Sequence, residues 1–293
     1  MGGGKGGVGK SLVSTLLALE MARRGNRTIL IDADLGGANL HTMMGIKTPP
    51  RTLNDLVKRK YDAMDQICIQ TGIRDLQMVC GASEILSLAN PQYAQKHKIV
   101  QNIYGLSADC VILDLGAGTS YNVLDFFLIA DHPIVVLTPQ PISIQNAYGF
   151  VRNTVYRKLS RLAAQHPSLQ HLIKTAMDPK NERQMRTIHD LFESIRASHN
   201  QKIVIQLKSA IRRIRPWIIT NMARDQRDCN AGKIIQVVSE KYLAIQSRQL
   251  GAINYDPTIE KMVSQMSSVS KLAIDCPARI NVQHIINRLK DMN

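Results

Sequence analysis

The chain is short of aromatics, paired cysteines, long apolar runs and acidic side chains. Aromatic residues make up 4% of its 293 positions, with a single Trp, so the core has to be filled by aliphatic side chains and by Met, of which there are 12. Five cysteines (Cys68, Cys80, Cys110, Cys229 and Cys276) are scattered with no Cys-x-x-Cys. That spacing argues against a zinc site and against a disulfide framework, and reduced thiols in a cytoplasmic chain are the default expectation. No run of about 20 apolar residues occurs, so no transmembrane helix is predicted. The start lacks the charged-then-apolar pattern of a secretory signal. Acid is scarce: 23 Asp/Glu face 37 Lys/Arg, a formal charge of +14. Residues 151–215 hold 14 Lys/Arg against 4 Asp/Glu, a net of +10. Such a segment suits nucleic acid, anionic lipid or an acidic protein face, and equally a solvated basic surface.

Hydrophobic content is 44%, enough for a sizeable core. The most specific signal is Gly4-Lys5-Gly6-Gly7-Val8-Gly9-Lys10-Ser11, in which Gly4 and Gly9 frame four residues ahead of Lys10-Ser11 as in a P-loop. Glycines let backbone N–H groups turn onto phosphate oxygens where side chains would block the approach. Lys10 would set a charge on the β- and γ-phosphates, and the Ser11 hydroxyl is suited to ligate Mg²⁺. A helix predicted from Lys10 to Arg24 would aim its positive end at the same anion.

Short β-branched and Leu-rich runs predict strands at Thr28–Ile31, Leu76–Cys80, Cys110–Leu115, Pro133–Thr138, Trp217–Thr220 and Leu250–Ile253. Helical spacing lies between most of them. The expected fold is α/β, a doubly wound, mostly parallel sheet with helices on both faces. Asp114 and Pro139 follow the ends of two buried strands, where open α/β sheets bind ligands. Asp32 also ends a strand. The alternative for Asp32 and Asp34 is that they cap the turn after it.

The second lysine, Lys5, begins a family resemblance. Lys5-Gly6-Gly7-Val8-Gly9-Lys10-Ser11 resembles the deviant Walker A loop of the MinD/ParA ATPases. Ile29–Gly36 resembles that family's strand and loop carrying the catalytic carboxylate. Val111–Gly118 resembles its Walker B strand and second switch, and Pro133–Pro139 the strand and turn after it. Within the family, Asp34-Leu35-Gly36-Gly37-Ala38-Asn39-Leu40 and Gly116-Ala117-Gly118 look closest to the FlhG branch, regulators of flagellar number.

The resemblance implies a single P-loop domain over 1–293 that binds ATP and Mg²⁺ and hydrolyses ATP to ADP and phosphate, slowly and with stimulation by a partner. Lys5, Lys10 and Asp34 would be catalytic, Lys5 by reaching the partner's nucleotide in an ATP-dependent homodimer and Asp34 by positioning water. Gly4, Lys5, Gly6, Gly7, Val8, Gly9, Lys10, Ser11, Leu12 and Gly118 would bind the phosphates, and Asn221 would read the adenine edge. Ser11, with Asp32 and Asp114 acting through water, would hold the metal. Asn39 would lie near the dimer interface. The implied task is spatial regulation of the FlhG/MinD kind, flagellar number or placement, with a regulatory protein partner. A ParA-like partition ATPase that binds non-specific DNA through its basic surface is the alternative. An anionic membrane surface is a third kind of partner, with the chain free in the cytoplasm or peripheral at the inner membrane.

Two departures from the family stand out. Only Met1-Gly2-Gly3 precede the loop, where a buried strand of about five or six residues is expected; the first strand reads as missing. After Pro139 the next clear strand waits until Trp217. The interval, with its basic part at about 151–215, has helical spacing at Ser143–Gln165, Leu169–Ala176, Ile188–Ala197 and Lys202–Ile214, broken by Pro167 and Pro179. It reads as a helical insertion. The last helix, near Ala278–Met292, is amphipathic. Packing on the sheet is the preferred reading over lying on a membrane.

Overall fold

A computed structural model describes all residues except 35, 82–92, 179, 182–183, 199–200, 266 and 292–293. Pro179, Leu35 and Met292 therefore lie outside the described residues. Among the described residues seven strands are seen: β1 (Thr28–Ala33), β2 (Ile69–Gln70), β3 (Leu76–Val79), β4 (Cys110–Leu115), β5 (Ile134–Leu137), β6 (Trp217–Ala223) and β7 (Arg248–Asn254). They form two sheets, ordered β2-β3-β1-β4 and β5-β6-β7. Every pairing is parallel except β2 with β3.

The first residues of the chain join the two sheets. The Leu115 N–H donates to the Met1 carbonyl at 3.1 Å, Gly2 N–H donates to Ile134 O at 2.8 Å, and Val136 N–H donates to Gly2 O at 3.0 Å. Met1–Gly3 thus fill the upper part of the slot between β4 and β5. Lower down, Cys110, Val111 and Ile112 are only half-buried, as β4 stands at the edge of its sheet there. Gly2 is needed there because a Cβ would lie 2.6 Å from the Phe150 ring. Phe150 itself is fully buried and meets Phe127 edge-on at 4.9 Å.

The strands are parallel because helices return the chain across the sheet faces. In chain order these are α1 (Lys10–Arg23), α2 (Leu40–Met43), α3 (Leu53–Val57), α4 (Tyr93–Tyr104), α5 (Tyr121–Phe127), α6 (Pro141–Leu162), α7 (Pro167–Met177), α8 (Ile188–Ser198), α9 (Gln201–Arg212), α10 (Gln226–Cys229), α11 (Ala231–Leu243), α12 (Pro257–Ser264) and α13 (Pro277–Lys290). Successive strand residues face opposite sides. Ile29, Ile31, Val135 and Leu137 enter one core, and Leu30, Ile134 and Val136 the other.

The insertion is helical, as its spacing predicts. Pro167 starts α7 at its first turn, where its missing N–H would be unpaired anyway. Phe150, Leu159, Leu172, Phe192, Val204 and Ile211 join the same core as Ile29 and Val135. On the other face, α1 and α13 pack together. The Arg279 guanidinium donates to the Glu20 carboxylate at 2.8 Å, and both are almost wholly buried. Ala278, Val282, Ile285 and Ile286 are buried too, so the apolar face of α13 is engaged with α1 and the sheet. No helix among the described residues is long and apolar enough to cross a membrane.

Candidate functional site

The site is assembled at the C-terminal ends of β1, β4 and β6, around the loop that enters α1. The loop is tight on its protein side. A Cβ on Gly4 would lie 2.0 Å from the Asn146 carbonyl of α6, and one on Gly9 would lie 2.2 Å from Asn221 Nδ2. Gly7 and Gly9 have φ of +80° and +82°, the left-handed region that favours glycine. On the other side the loop is open. Around Gly7 nothing comes within 4 Å of a Cβ, and around Gly6 only Ala117 does, at 3.9 Å. The result is a cradle whose free side can admit an anion against backbone N–H groups and the start of a 14-residue helix. Val8 and Leu12 turn their side chains into the core, which leaves their main chain to line the cradle.

Lys10 is 7% exposed. Burial pulls its ammonium below the ordinary lysine range, opposed by the charges of Asp114 and Asp34. Lys5 is exposed at the loop's tip. The two lysines thus divide into one held inside the site and one presented outward.

β1 and β4 pair in register, with Asp32 beside Asp114. Neighbouring parallel strands then direct both carboxylates to the same sheet face. Asp114 accepts a hydrogen bond from the Ser14 hydroxyl at 2.8 Å, and the nearby Ser11 hydroxyl also favours its charged form. Burial raises its pKa, and the two serine hydroxyls, the Met1 ammonium and Lys10 hold the rise back. Asp32 is pushed up to about 7, first by burial and further by the charges of Asp114 and Asp34, against hydrogen bonds from the backbone. Its two oxygens accept Asp34 N–H at 3.2 Å and Leu40 N–H at 3.0 Å. Asp32 therefore caps the turn after β1 while standing next to Asp114.

Asp34 is half-buried and accepts Gly36 N–H at 3.3 Å. A Cβ on Gly116 would lie 2.8 Å from Asp34 Oδ1, so a glycine there is what lets the two loops meet. Gly118 has φ +89° and open space around it. Asn39 is exposed beyond Asp34. Asn221 is 2% exposed, and its amide donates to the Val8 carbonyl at 2.9 Å. It ties β6 to the phosphate loop.

The Mg²⁺ fit can be judged from this donor set. Ser11, Asp114 and Asp32 offer hard oxygens, as Mg²⁺ requires. No group of three or more His, Cys, Asp or Glu that could hold a metal occurs among the described residues. Two residues escaped the sequence reading. Ser14 lies three positions after Ser11 and so on the same helix face, a signal that was present. Asn146, whose carbonyl abuts Gly4, gives no sequence signal.

Comparison with known proteins decides the family. A model of the ParA family, described as NUBPL iron-transfer P-loop NTPase, matches residues 1–155. The chain belongs to the MinD/ParA family of P-loop NTPases. Among curated relatives it is similar to the antiactivator FleN of Pseudomonas aeruginosa, 34% identical over 151 residues, which covers 51% of this chain and 53% of FleN. It is also similar to the flagellum site-determining protein YlxH of Helicobacter pylori, 29% identical over 235 residues, covering 76% of this chain and 77% of that one. The chain spans about half the length of the first of these relatives. Among solved structures, the cell division ATPase MinD of Pyrococcus furiosus matches with a TM-score of 0.65 and 16% identity over 100% of this chain and 98% of that one. The Pyrococcus horikoshii MinD, solved with Mg-ADP, matches with a TM-score of 0.64 and 16% identity over 99% and 94%. At such identity these two likenesses speak for the fold, which is the α/β architecture expected of the family.

Proposed function

We propose that this chain is an ATP-binding and ATP-hydrolysing dimerisation switch for spatial regulation, of the kind that sets flagellar number or placement. The observation that carries the reading is the pairing of a buried Lys10 with an exposed Lys5 on one cradle. One lysine serves the chain's own nucleotide, and the other is free to reach a second subunit's. The name of YlxH, a flagellum site-determining protein, supports the placement role.

In this reading the loop N–H groups and Lys10 hold the phosphates, and Ser11, Asp114 and Asp32 hold the metal and its waters. Bound Mg²⁺ would supply charge neutralisation. Asp34, against Gly116, orients the attacking water, and Gly118 N–H meets the γ-phosphate. Phosphoryl transfer asks mainly for such alignment and neutralisation. Asn221, buried against Val8, steadies the loop from β6 and stands beside the place for the base.

The test is a set of three variants read by calorimetry, phosphate release and light scattering. Lys10→Ala loses Mg-ATP binding. Lys5→Ala binds ATP as a monomer and fails to dimerise. Asp34→Ala binds ATP, turns it over slowly and accumulates dimer. A dimer unaffected by Lys5→Ala, or normal turnover in Asp34→Ala, rejects the mechanism. One observation favours the second reading, a partition ATPase on DNA: Arg212, Arg213 and Arg215 are all exposed at the end of the insertion. That reading requires ATP-dependent DNA affinity that falls steeply with salt.

A further inference from the structure

Ser14 belongs to no part of the P-loop template, yet its hydroxyl makes a short, fully buried contact with the site. Ser14 is 0% and Asp114 2% exposed, and Ser14 Oγ donates to Asp114 Oδ1 at 2.8 Å. Ser11 and Ser14 are one helical turn apart on α1, so their hydroxyls fall on one face, the face turned to Asp114, and Ser14 makes the direct bond to it. The two are not equivalent. Ser11 starts beside the cradle, and its oxygen is the one a metal would draw on. Ser14 lies a turn deeper, away from solvent, with Val13 and Leu17 packed beside it in the core. A carboxylate offers about four lone-pair sites, and the Ser14 bond occupies one of them permanently.

We propose that Ser14 is a positioning residue that locks the orientation of Asp114, so that the remaining oxygen stays aimed at the metal and its waters while the Ser11 hydroxyl is left to the metal. The inference rests on the nucleotide reading above and deepens it. Without Ser14 the Asp114 carboxylate would keep its burial but lose its fixed partner. It could then rotate toward Lys10, whose charge it already feels. Outer partners of this sort typically tune metal affinity by about 10- to 100-fold.

The experiment measures ADP binding by titration calorimetry with and without Mg²⁺, which gives the factor by which the metal strengthens ADP. Wild type, Ser14→Ala, Asp114→Asn and the double variant are compared, with thermal midpoints recorded for each. Ser14→Ala is expected to lower the Mg²⁺ factor about 10-fold and to leave metal-free ADP affinity unchanged. In the Asp114→Asn background the same change is expected to add no further loss, because Ser14 acts through Asp114. Ser14→Thr, which keeps the hydroxyl, is expected to restore the factor. An unchanged Mg²⁺ factor in folded Ser14→Ala overturns the proposal. So does a fall in metal-free ADP affinity and thermal midpoint with the factor intact, since that is the mark of a merely structural serine. Equal losses in the single and double backgrounds overturn it as well. A wild-type chain that binds no ADP at all overturns the nucleotide reading itself, an outcome distinct from the other three.

Discussion

Asp114 and Asp125 sit on neighbouring elements, β4 and α5, and are 2% and 5% exposed, yet their surroundings treat them in opposite ways. Around Asp125 three cations converge. Arg157 donates from both Nε and Nη2 at 2.8 Å, Arg161 approaches to 3.5 Å, and Lys96 completes the cluster. Burial alone would raise the Asp125 pKa, but these partners bring it below its ordinary value. Around Asp114 and Asp32 the compensation is mostly from hydroxyl and backbone groups, with the Met1 ammonium and Lys10 as nearby charges rather than bonded partners, and both carboxyls stay raised. The first arrangement fastens α4, α5 and the insertion helix α6 together. The second leaves negative charge short of partners at the mouth of a phosphate cradle. A buried carboxylate satisfied within the chain reads as structure. One left wanting a cation reads as a site.

The largest effect expected from breaking this contrast is on the satisfied side. Asp125→Ala strands Lys96 and Arg157, whose side chains are only 15% and 20% exposed. It should destabilise the chain by about 3 kcal/mol in urea unfolding. Its pH signature follows from the lowered pKa. The Asp125 contribution is present above the ordinary carboxylate value and is lost as pH falls through the depressed folded one. A loss below about 0.5 kcal/mol would mean the cluster is a surface network of little weight.

Next in size is Asp32, with the opposite sign. Its folded pKa of about 7 lies above the ordinary 3.8. Its contribution is therefore full at acid pH and is lost as pH rises through about 7. The nucleotide-free chain should lose stability across that window at up to about 1.4 kcal/mol per pH unit from this group. Asp32→Asn should flatten the slope, at the constant expense of one backbone bond. Urea midpoints at pH 5, 6 and 7 measure it, and an unchanged slope would put Asp32 among the compensated carboxylates.

The smallest effect sharpens the comparison on the insertion's outer face. Reversing the exposed Arg212, Arg213 and Arg215 to Glu should leave stability within about 0.5 kcal/mol and basal phosphate release unchanged. If DNA is a partner, its binding should weaken, and its salt dependence should become shallower. Loss of basal turnover in the folded variant would join the insertion to the active site.

Much of this was legible in the residue order. The apolar runs of β1 and β4 carry no polar alternation, so the strands and the aspartates ending them could be located, and Cys110–Leu115 is observed with the expected bounds. Edge elements were harder. β7 runs from Arg248 to Asn254, beyond the apolar Leu250–Ile253, because an edge strand tolerates polar residues that a buried strand excludes. The two-residue β2 is too short to leave any period. At the site, the loop and the carboxylates are local patterns. The Asn221–Val8 and Ser14–Asp114 contacts join residues 213 and 100 positions apart, and only the folded sheet brings them together.

The Glu20–Arg279 ion pair has a consequence in time. Its two residues are separated by 259 positions, nearly the whole length of the chain. The helix that opens the phosphate cradle is synthesised 259 positions before Arg279, and until then its Glu20 carboxylate has only Arg23, one turn along the same helix, as a cationic partner. Contacts of such span must be closed at a large loss of chain entropy, which slows folding. During synthesis the nascent α1 would thus carry a Glu20 held by Arg23 alone and an exposed apolar face. Its completion is deferred until Arg279 has been made, so the helix behind the phosphate loop is secured only after every strand of the sheets has been synthesised.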